Sequence, residues 1–385
     1  MTESFLSLDP DRLDAPVSWR HPEHPVELLV GRGAVFQLPD GVTQTPVLVV
    51  TSRNSVRRSG LEQVFAEQQD WHVFNEVSPN PGPGVIENAA RMAKEVGAQT
   101  IVGLGGGSAL DAARCVSLMV GNASTVQALQ SHIREGRPLA RTVGLIQVPT
   151  TAGTGSEVTP WASVWSEDGQ KASVDHPAGF ADLAYVDPRL TDTMPPKLTA
   201  AVGLDAMTHA MEAIWGRHSD AVSDALAGRA LGLLRTHLLV AVSDPNPRAR
   251  NAVSAGALLA GMALSRTRSA IAHALSYPLT GRYQVAHGLA VGLMAIGALR
   301  LSQEDAPAGR ERVVRASGSS AASDLAEMLV AVFEGIGETP SLSGLGVPKD
   351  SAEELVTTAM NSNRLGNMPG IWNKDRLARL LAEIA

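Results

Sequence analysis

The segment GLDAMTHAMEA (203–213) places Asp205 and His209 four residues apart. In a helix, residues i and i+4 share a face, so both side chains can reach one ion. His273 stands in IAHALSYPLTGRYQVAHG (271–288), and His287 follows past Pro278 and Gly281. A break at those two residues lets the chain turn back and bring His287 near His273. One carboxylate and three imidazoles make a ligand set for a divalent first-row metal, and iron(II) and zinc(II) both fit. A lone histidine is more often a packed polar residue, and spacing alone leaves the choice open. Arg266 and Arg268 lie just upstream in LSRTRSA, within a segment that otherwise reads as core. Positive charge gathers in such surroundings only when something negative joins it.

A second chemistry is written in glycines. GLGGGSALDAAR (103–114) follows an apolar run and opens a helical pattern, offering Gly105, Gly106, Gly107, Ser108 and Asp111. Glycines let backbone approach a phosphate, and helix N-terminal amides bind its charge. The spacing is GxGGGS rather than GxGxxG, so a tight structural turn is the competing reading. PTTAGTGSEVTP (149–160) adds Thr150, Thr151 and Thr154 after another strand. Two such loops at the carboxyl edge of a parallel sheet point to a dinucleotide. In VLVVTSRNS, Ser52 occupies the position where a carboxylate normally accepts from the adenosine ribose, and Arg53 follows. That predicts NADP(H) in preference to NAD(H). Arg53 as a solvated loop charge is the plainer reading.

These residues need elements to hold them. Residues 1–25 are polar and proline-punctuated and read as a loosely packed arm. Over 26–194, strands at 47–52, 71–77, 100–107, 142–151 and 183–188 alternate with helices at 84–98 and 108–121. That pattern gives an α/β unit on a parallel sheet covered on both faces. An antiparallel excursion over 161–177 has its turn at Glu167-Asp168-Gly169. From 195 to 385 nearly everything reads as helix: 198–215, 220–242, 247–277, 288–302, 319–336, 351–362 and 374–384. The boundary falls at about 190–196.

Bulk properties narrow the class. A chain of 385 residues suits two domains, and 44 % hydrophobic residues can fill large cores. A formal charge of −7 with scattered basic residues argues against a nucleic-acid partner. The single cysteine, Cys115, excludes an intrachain disulfide framework and suits a reducing cytoplasm. The N-terminus has no signal-peptide pattern, and no uncharged apolar run approaches a membrane span, so no membrane partner is expected.

From about residue 26 onward the chain resembles the iron-containing (group III) alcohol dehydrogenase family. The carriers are GGGSALDAAR, PTTAGTGSEVTP, MPPKLTAAVGLDAMTHAMEA and AHALSYPLTGRYQVAHG, in that order. The resemblance implies an α/β N-terminal dinucleotide-binding domain, an all-α C-terminal domain, one divalent metal, and hydride transfer between NAD(P)H and a carbonyl. It makes Asp205, His209, His273 and His287 the metal ligands. It assigns Asn80 to the adenine side of the cofactor and Lys171 to the nicotinamide end. A homodimer is expected, since dimers are common among relatives. Many members carry a further histidine four residues after the third ligand; here Tyr277 stands there, as a substitute proton donor or a packing residue. The run Ser265-Arg266-Thr267-Arg268 before AHALSYPLT looks most like the phosphonoacetaldehyde reductase branch. On that reading Arg266 and Arg268 sit one to two turns before His273, and at least one faces the metal. Arg282, Arg364 and Asn367 are further substrate candidates. The alternatives are a general or lactaldehyde-type reductase of the same family, or a metal- and NAD-dependent lyase like dehydroquinate synthase.

Overall fold

The computed structural model describes residues 8–20, 22–166 and 171–385, so the expected turn at Glu167-Asp168-Gly169 lies outside the described residues. The chain divides into two compact units. One comprises Leu8–Thr151 and Ser156–Thr193, the other Ala152–Gly155 and Met194–Ala385.

Among the described residues the first unit carries nine strands: β1 (Val17–Arg20), β2 (Glu27–Val30), β3 (Val47–Thr51), β4 (Trp71–Phe74), β5 (Thr100–Gly105), β6 (Gly144–Pro149), β7 (Trp161–Trp165), β8 (Lys171–Asp175) and β9 (Leu183–Val186). Seven form one sheet in the order β1-β2-β9-β6-β5-β3-β4, and β7 pairs with β8 in a separate ribbon. The large sheet is parallel except where β1 meets β2. Every residue of β3 and β5 is buried, which is why both read as continuous apolar runs rather than alternating ones. Six helices accompany the strands: α1 (Leu38–Gly41), α2 (Ser55–Ser59), α3 (Glu62–Ala66), α4 (Pro83–Glu95), α5 (Gly107–Met119) and α6 (Val126–Arg134). From β3 the chain steps outward to β4, then returns across β3 to β5 and on to β6. The order therefore reverses between β3 and β5, the point at which open α/β sheets form a ligand crevice at their carboxyl edge.

Residues 8–20 do not form the loose arm expected of them. Val17 pairs with Val30 and Arg20 with Glu27, which adds β1 to the sheet edge, and Leu13 is buried. Four-residue strands carry too short an alternation to stand out in a polar, proline-marked stretch.

The second unit is helical: α7 (Pro196–Trp215), α8 (Ala221–Ser243), α9 (Pro247–Thr267), α10 (Ile271–Gly281), α11 (His287–Arg300), α12 (Arg310–Ser317), α13 (Ala322–Glu334), α14 (Ala352–Met360) and α15 (Lys374–Ala382). α7, α8, α9 and α11 form its centre, with Trp215 and Phe333 fully buried. Starts are capped by side chains: Asp220 and Ser223 form a capping box on α8, and Asn246 accepts from the Ala249 amide on α9. α8 is long and apolar enough in composition to cross a membrane. It nevertheless carries Asp224, Arg229 and Arg235, and it packs on α7, α9, α12 and α13.

Two expectations change here. Ala152–Gly155 groups with the helices rather than with the sheet on either side of it. A Cβ on Gly153 would lie 2.5 Å from the Val202 side chain, and one on Gly155 would lie 2.4 Å from the Gly261 Cα. Only glycines allow that loop to press against α7 and α9. The helix expected over 247–277 is two helices, α9 and α10, separated at Arg268, whose φ of 67° and ψ of 161° end the first. No glycine or proline marks that break.

Candidate metal centre and dinucleotide edge

α7 carries Asp205 and His209 on one face, α10 carries His273, and His287 is the first residue of α11. Asp205 Oδ1 lies 3.5 Å from His209 Nε2 and 3.4 Å from His273 Nε2. The His209 and His273 rings stack at 4.7 Å between centroids, and the His287 ring meets His273 edge-on at 5.5 Å. One ligand atom from each of Asp205, His273 and His287 falls within 4.8 Å of the others. Gly288 and Gly292 allow this convergence. α11 passes so close to α7 that a Cβ on Gly288 would fall 1.8 Å from the Ala201 carbonyl oxygen.

The atoms that converge are poor partners for one another. Asp205 Oδ1 and His273 Nε2 are buried and face each other without an aligned hydrogen bond. Buried polar atoms left in this state are costly, and a divalent cation between them satisfies both. Burial alone would raise the Asp205 carboxyl, but the imidazoles of His209, His273 and His287 hold it well below the ordinary carboxylate range. Burial would lower the His273 imidazole, but the carboxylates of Glu212 and Asp205 push it up to about 10. A cation at this point competes with that proton. Glu212 is the residue the sequence reading missed: fully buried, it accepts from His273 Nδ1 at 2.7 Å. Its signal was the HAMEA context, seven residues after Asp205 and so on the same face two turns on.

In the first unit, Gly105 pairs with Pro149 across β5 and β6, and the Thr150 amide donates to the Gly105 carbonyl at 2.8 Å. The GGGS turn and Thr150-Thr151 therefore stand side by side at the carboxyl edge. Gly105 has a φ of 152°, and a Cβ there would strike Ala109 at 2.7 Å. Gly106 caps α5 without a side-chain acceptor, and the Ala109 amide turns back to the Gly106 carbonyl, so a phosphate would meet the helix start at Gly107 and Ser108. Asn80, itself at φ 55°, donates its amide to Ser108 Oγ at 3.1 Å. Ser52 follows β3 at the same edge, with its Oγ 2.6 Å from Ser55 Oγ. Arg53 is exposed. A backbone bridge sets Ser52 opposite Glu76, which brings an acidic residue to a position that the sequence alone read as free of one. Thr154 belongs to the loop that groups with the helices, and Lys171 opens β8 with its Nζ 5.9 Å from the Trp165 ring centroid.

Several expected site residues have other work. Asp111 uses Oδ1 to accept from Arg114 and Ser156 and Oδ2 to accept from the Ser163 amide, so it braces the loop after β6. Arg266 donates to Asp220 at 2.8 Å, and Arg282 pairs with Glu354 at 2.5 Å. Asn367 Nδ2 donates to the carbonyls of Thr267, Arg268 and Ser269. Apart from Arg114, three residues after Asp111 on the same helix, these partners come from elements distant in sequence and cannot be read from spacing. Arg268 is exposed at the α9 terminus, Arg364 is half-buried before Asn367, and the Tyr277 ring lies parallel to His287 at 6.4 Å.

Glu157, in the same loop as Ser156, is buried, and burial pushes its carboxyl up to about 7 from 4.5. A raised folded value means this group favours folding most below its unfolded value and loses that contribution as pH rises to about 7. The Glu157→Gln variant should therefore gain on the wild type as pH climbs from 4.5 to 8, by at most on the order of 3 kcal/mol. Thermal unfolding of the pair at pH 5 and pH 8 measures it, and a constant gap would refute it.

A dinucleotide edge in one unit and a metal centre in the other are the two parts that a nicotinamide-linked, metal-dependent redox enzyme needs. Sequence comparison gives the same answer. Residues 25–188 match the iron-containing alcohol dehydrogenase family and residues 199–385 match the C-terminal part of the Fe-containing alcohol dehydrogenase family. Long-chain-alcohol dehydrogenase 1 of Geobacillus thermodenitrificans is 34 % identical over 87 % of this chain and 89 % of its own. A sulfoacetaldehyde reductase of Bilophila wadsworthia is 28 % identical over 83 % and 85 %. The crystal structure of a sulfoacetaldehyde reductase from Bifidobacterium kashiwanohense in complex with NAD+ superposes with a TM-score of 0.83. It is 27 % identical and covers 95 % of this chain and 98 % of that one. The chain belongs to the iron-containing alcohol dehydrogenase family. It is a metal-dependent, NAD(P)-linked oxidoreductase that interconverts an aldehyde and an alcohol, with Asp205, His273 and His287 as a metal site.

Proposed function

We propose that the enzyme reduces phosphonoacetaldehyde to 2-hydroxyethylphosphonate, with NADPH as the donor. The observation that carries this reading is Arg268. It is a non-glycine residue at φ 67°, stationed at the end of α9, five residues before His273. Residues held in that sparsely populated region cluster at active sites and ligand clamps. The sulfoacetaldehyde reductases among the relatives act on a two-carbon aldehyde that also carries a tetrahedral anion.

In this reading His209 completes the ligand set of Asp205, His273 and His287. These residues would hold a divalent cation, which would supply Lewis-acid polarisation of a carbonyl oxygen, and a bound nicotinamide would supply the hydride. Arg268 and Arg364 take the phosphonate oxygens with planar, charge-assisted hydrogen bonds and so orient the carbonyl. Tyr277 returns a proton from its phenol oxygen to the product oxygen. Gly105, Gly106, Gly107 and Ser108 hold the pyrophosphate with Thr150, Thr151 and Thr154. Asn80, Ser52 and Arg53 serve the adenosine end, and Lys171 serves the nicotinamide end. Arg53 favours a 2′-phosphate and Glu76 opposes it.

The ion pairs at Arg266 and Arg282 favour a second reading, a reductase of neutral aldehydes. Initial rates of NADPH oxidation with phosphonoacetaldehyde, sulfoacetaldehyde and propionaldehyde separate the two. A strong preference for the phosphonate supports the proposal, and equal rates on propionaldehyde support the alternative. Arg268→Ala should raise KM for phosphonoacetaldehyde about 10- to 100-fold and leave propionaldehyde unchanged. Repeating the assay with NADH reads the cofactor preference.

A further inference from the structure

A fully buried carboxylate needs donors on every side. Glu212 on α7 is one, and its two oxygens are fully occupied. Oε2 accepts from the Ala270 amide at 2.7 Å and from His273 Nδ1 at 2.7 Å. Oε1 accepts from the amides of Ala272 at 2.7 Å and His273 at 3.3 Å. Three of these four donors are the amides that open α10, whose N-cap, Ala270, has no side chain to satisfy them. Glu212 thus caps α10 from another helix, at its positive end. The fourth donor is the ring nitrogen of a metal ligand.

The break between α9 and α10 makes this double engagement possible. In an unbroken helix the amides of residues 270, 272 and 273 would bond to carbonyls four residues back and leave Glu212 nothing to accept. The positive-φ residue Arg268 ends α9 and releases them. The carbonyls on the other side of the break are held as well: Asn367 Nδ2 donates to Thr267 at 2.9 Å, Arg268 at 2.9 Å and Ser269 at 3.2 Å. Arg217 donates its backbone amide to the Asn367 carbonyl and its guanidinium to the carbonyls of Gly366 and Met368, which fixes Asn367 in turn.

We propose that Glu212 is a positioning residue for the metal: it fixes His273 with the proton on Nδ1 and the lone pair of Nε2 aimed at Asp205, while Asn367 holds open the helix break that this requires. This rests on the reading of Asp205, His273 and His287 as a metal site. Partners that fix ligand tautomer and direction typically change metal affinity 10- to 100-fold.

The test uses Zn2+ on the full chain, with affinity read by competition against a chromophoric chelator. Glu212→Gln keeps the shape but turns an NH2 toward donors, and it should weaken Zn2+ binding at least about 10-fold. Asn367→Ala should weaken it by a smaller factor. Leu329→Ala, a buried packing change on α13, should lower the melting temperature and leave Zn2+ affinity unmoved. Unchanged affinity in Glu212→Gln would overturn the proposal alone. Failure of the wild type to bind Zn2+ would overturn the site reading beneath it. If Glu212→Gln does not fold, the Zn2+-loaded wild type decides by 15N imidazole NMR. Coordination of His273 through Nε2 with a proton on Nδ1 supports the proposal, and coordination through Nδ1 overturns it.

Discussion

Asp205→Ala should bind no stoichiometric divalent metal and should lose aldehyde reduction by about 10³-fold or more in kcat/KM. The argument is electrostatic. Asp205 supplies the only negative charge among the four candidate ligands, and its Oδ1 lies within 3.5 Å of two imidazoles. Without it, three imidazoles face one another with no anion to offset a dication. Lewis-acid polarisation of a carbonyl contributes several kcal/mol to the transition state, and each 1.4 kcal/mol is tenfold in rate. His273→Ala should behave the same way and in addition strand the buried Glu212 carboxylate. Both variants should lower the metal-free melting temperature: Asp205→Ala loses the carboxylate that the imidazoles hold ionised, and His273→Ala leaves Glu212 without its ring donor. The increase in melting temperature that metal gives the wild type should vanish in both. Metal content by elemental analysis, beside calorimetric scans with and without Fe2+, checks this. Retained metal with retained activity in Asp205→Ala would remove the carboxylate from the site.

The second large effect follows from packing alone. Gly288 follows the ligand His287 at the start of α11, where the helix presses on α7 one turn before Asp205. A Cβ on Gly288 would fall 1.8 Å from the Ala201 carbonyl oxygen and 2.5 Å from its carbon. Both are backbone atoms of a buried helix and cannot turn aside, so α11 must move as a body. Gly288→Ala is expected to cost about 3 kcal/mol or more and to carry His287 away from Asp205. Chemical denaturation reads the first effect and Zn2+ affinity the second. Gly232→Ala on α8 is the control, because a Cβ there meets nothing within 4 Å. It should be neutral or stabilising by up to about 1 kcal/mol. Equal stabilities for the two variants would show that the α7–α11 contact is looser than described.

What the sequence made legible follows the range of the signal. Asp205 and His209 could be paired because one helix fixes their spacing, and the pairing survives in three dimensions. The central strands could be found because burial on both faces leaves a continuous apolar run. Of the two residues expected to break the chain between His273 and His287, only Gly281 does so, as the last residue of α10; Pro278 lies inside that helix. The α9–α10 break was not legible, since SRTRSA contains no glycine or proline to announce it; Glu212 and Asn367, distant in sequence, hold the amides and carbonyls it frees. Hence Arg266 and Arg268 do not lie on the His273 helix, as a continuous helix would have required. Asn367, Arg266, Arg282 and Asp111 were singled out for chemistry because polar residues in unusual surroundings invite that reading. The structure gives each of them partners within the fold, most of them from elements distant in sequence. β1, β2 and α12 escaped notice because four-residue strands and a charged eight-residue helix carry little periodicity.

The central claim is metal-dependent reduction of an aldehyde by NAD(P)H. Its most direct test is absorbance at the nicotinamide band, followed with one aldehyde on three samples: protein stripped by a chelator, stripped protein reloaded with Fe2+, and Asp205→Ala given the same Fe2+. The account predicts oxidation of NAD(P)H in the reloaded wild type only, with one alcohol formed per nicotinamide consumed. Equal rates in stripped and reloaded protein, or turnover of substrate with no change in nicotinamide absorbance, would contradict it.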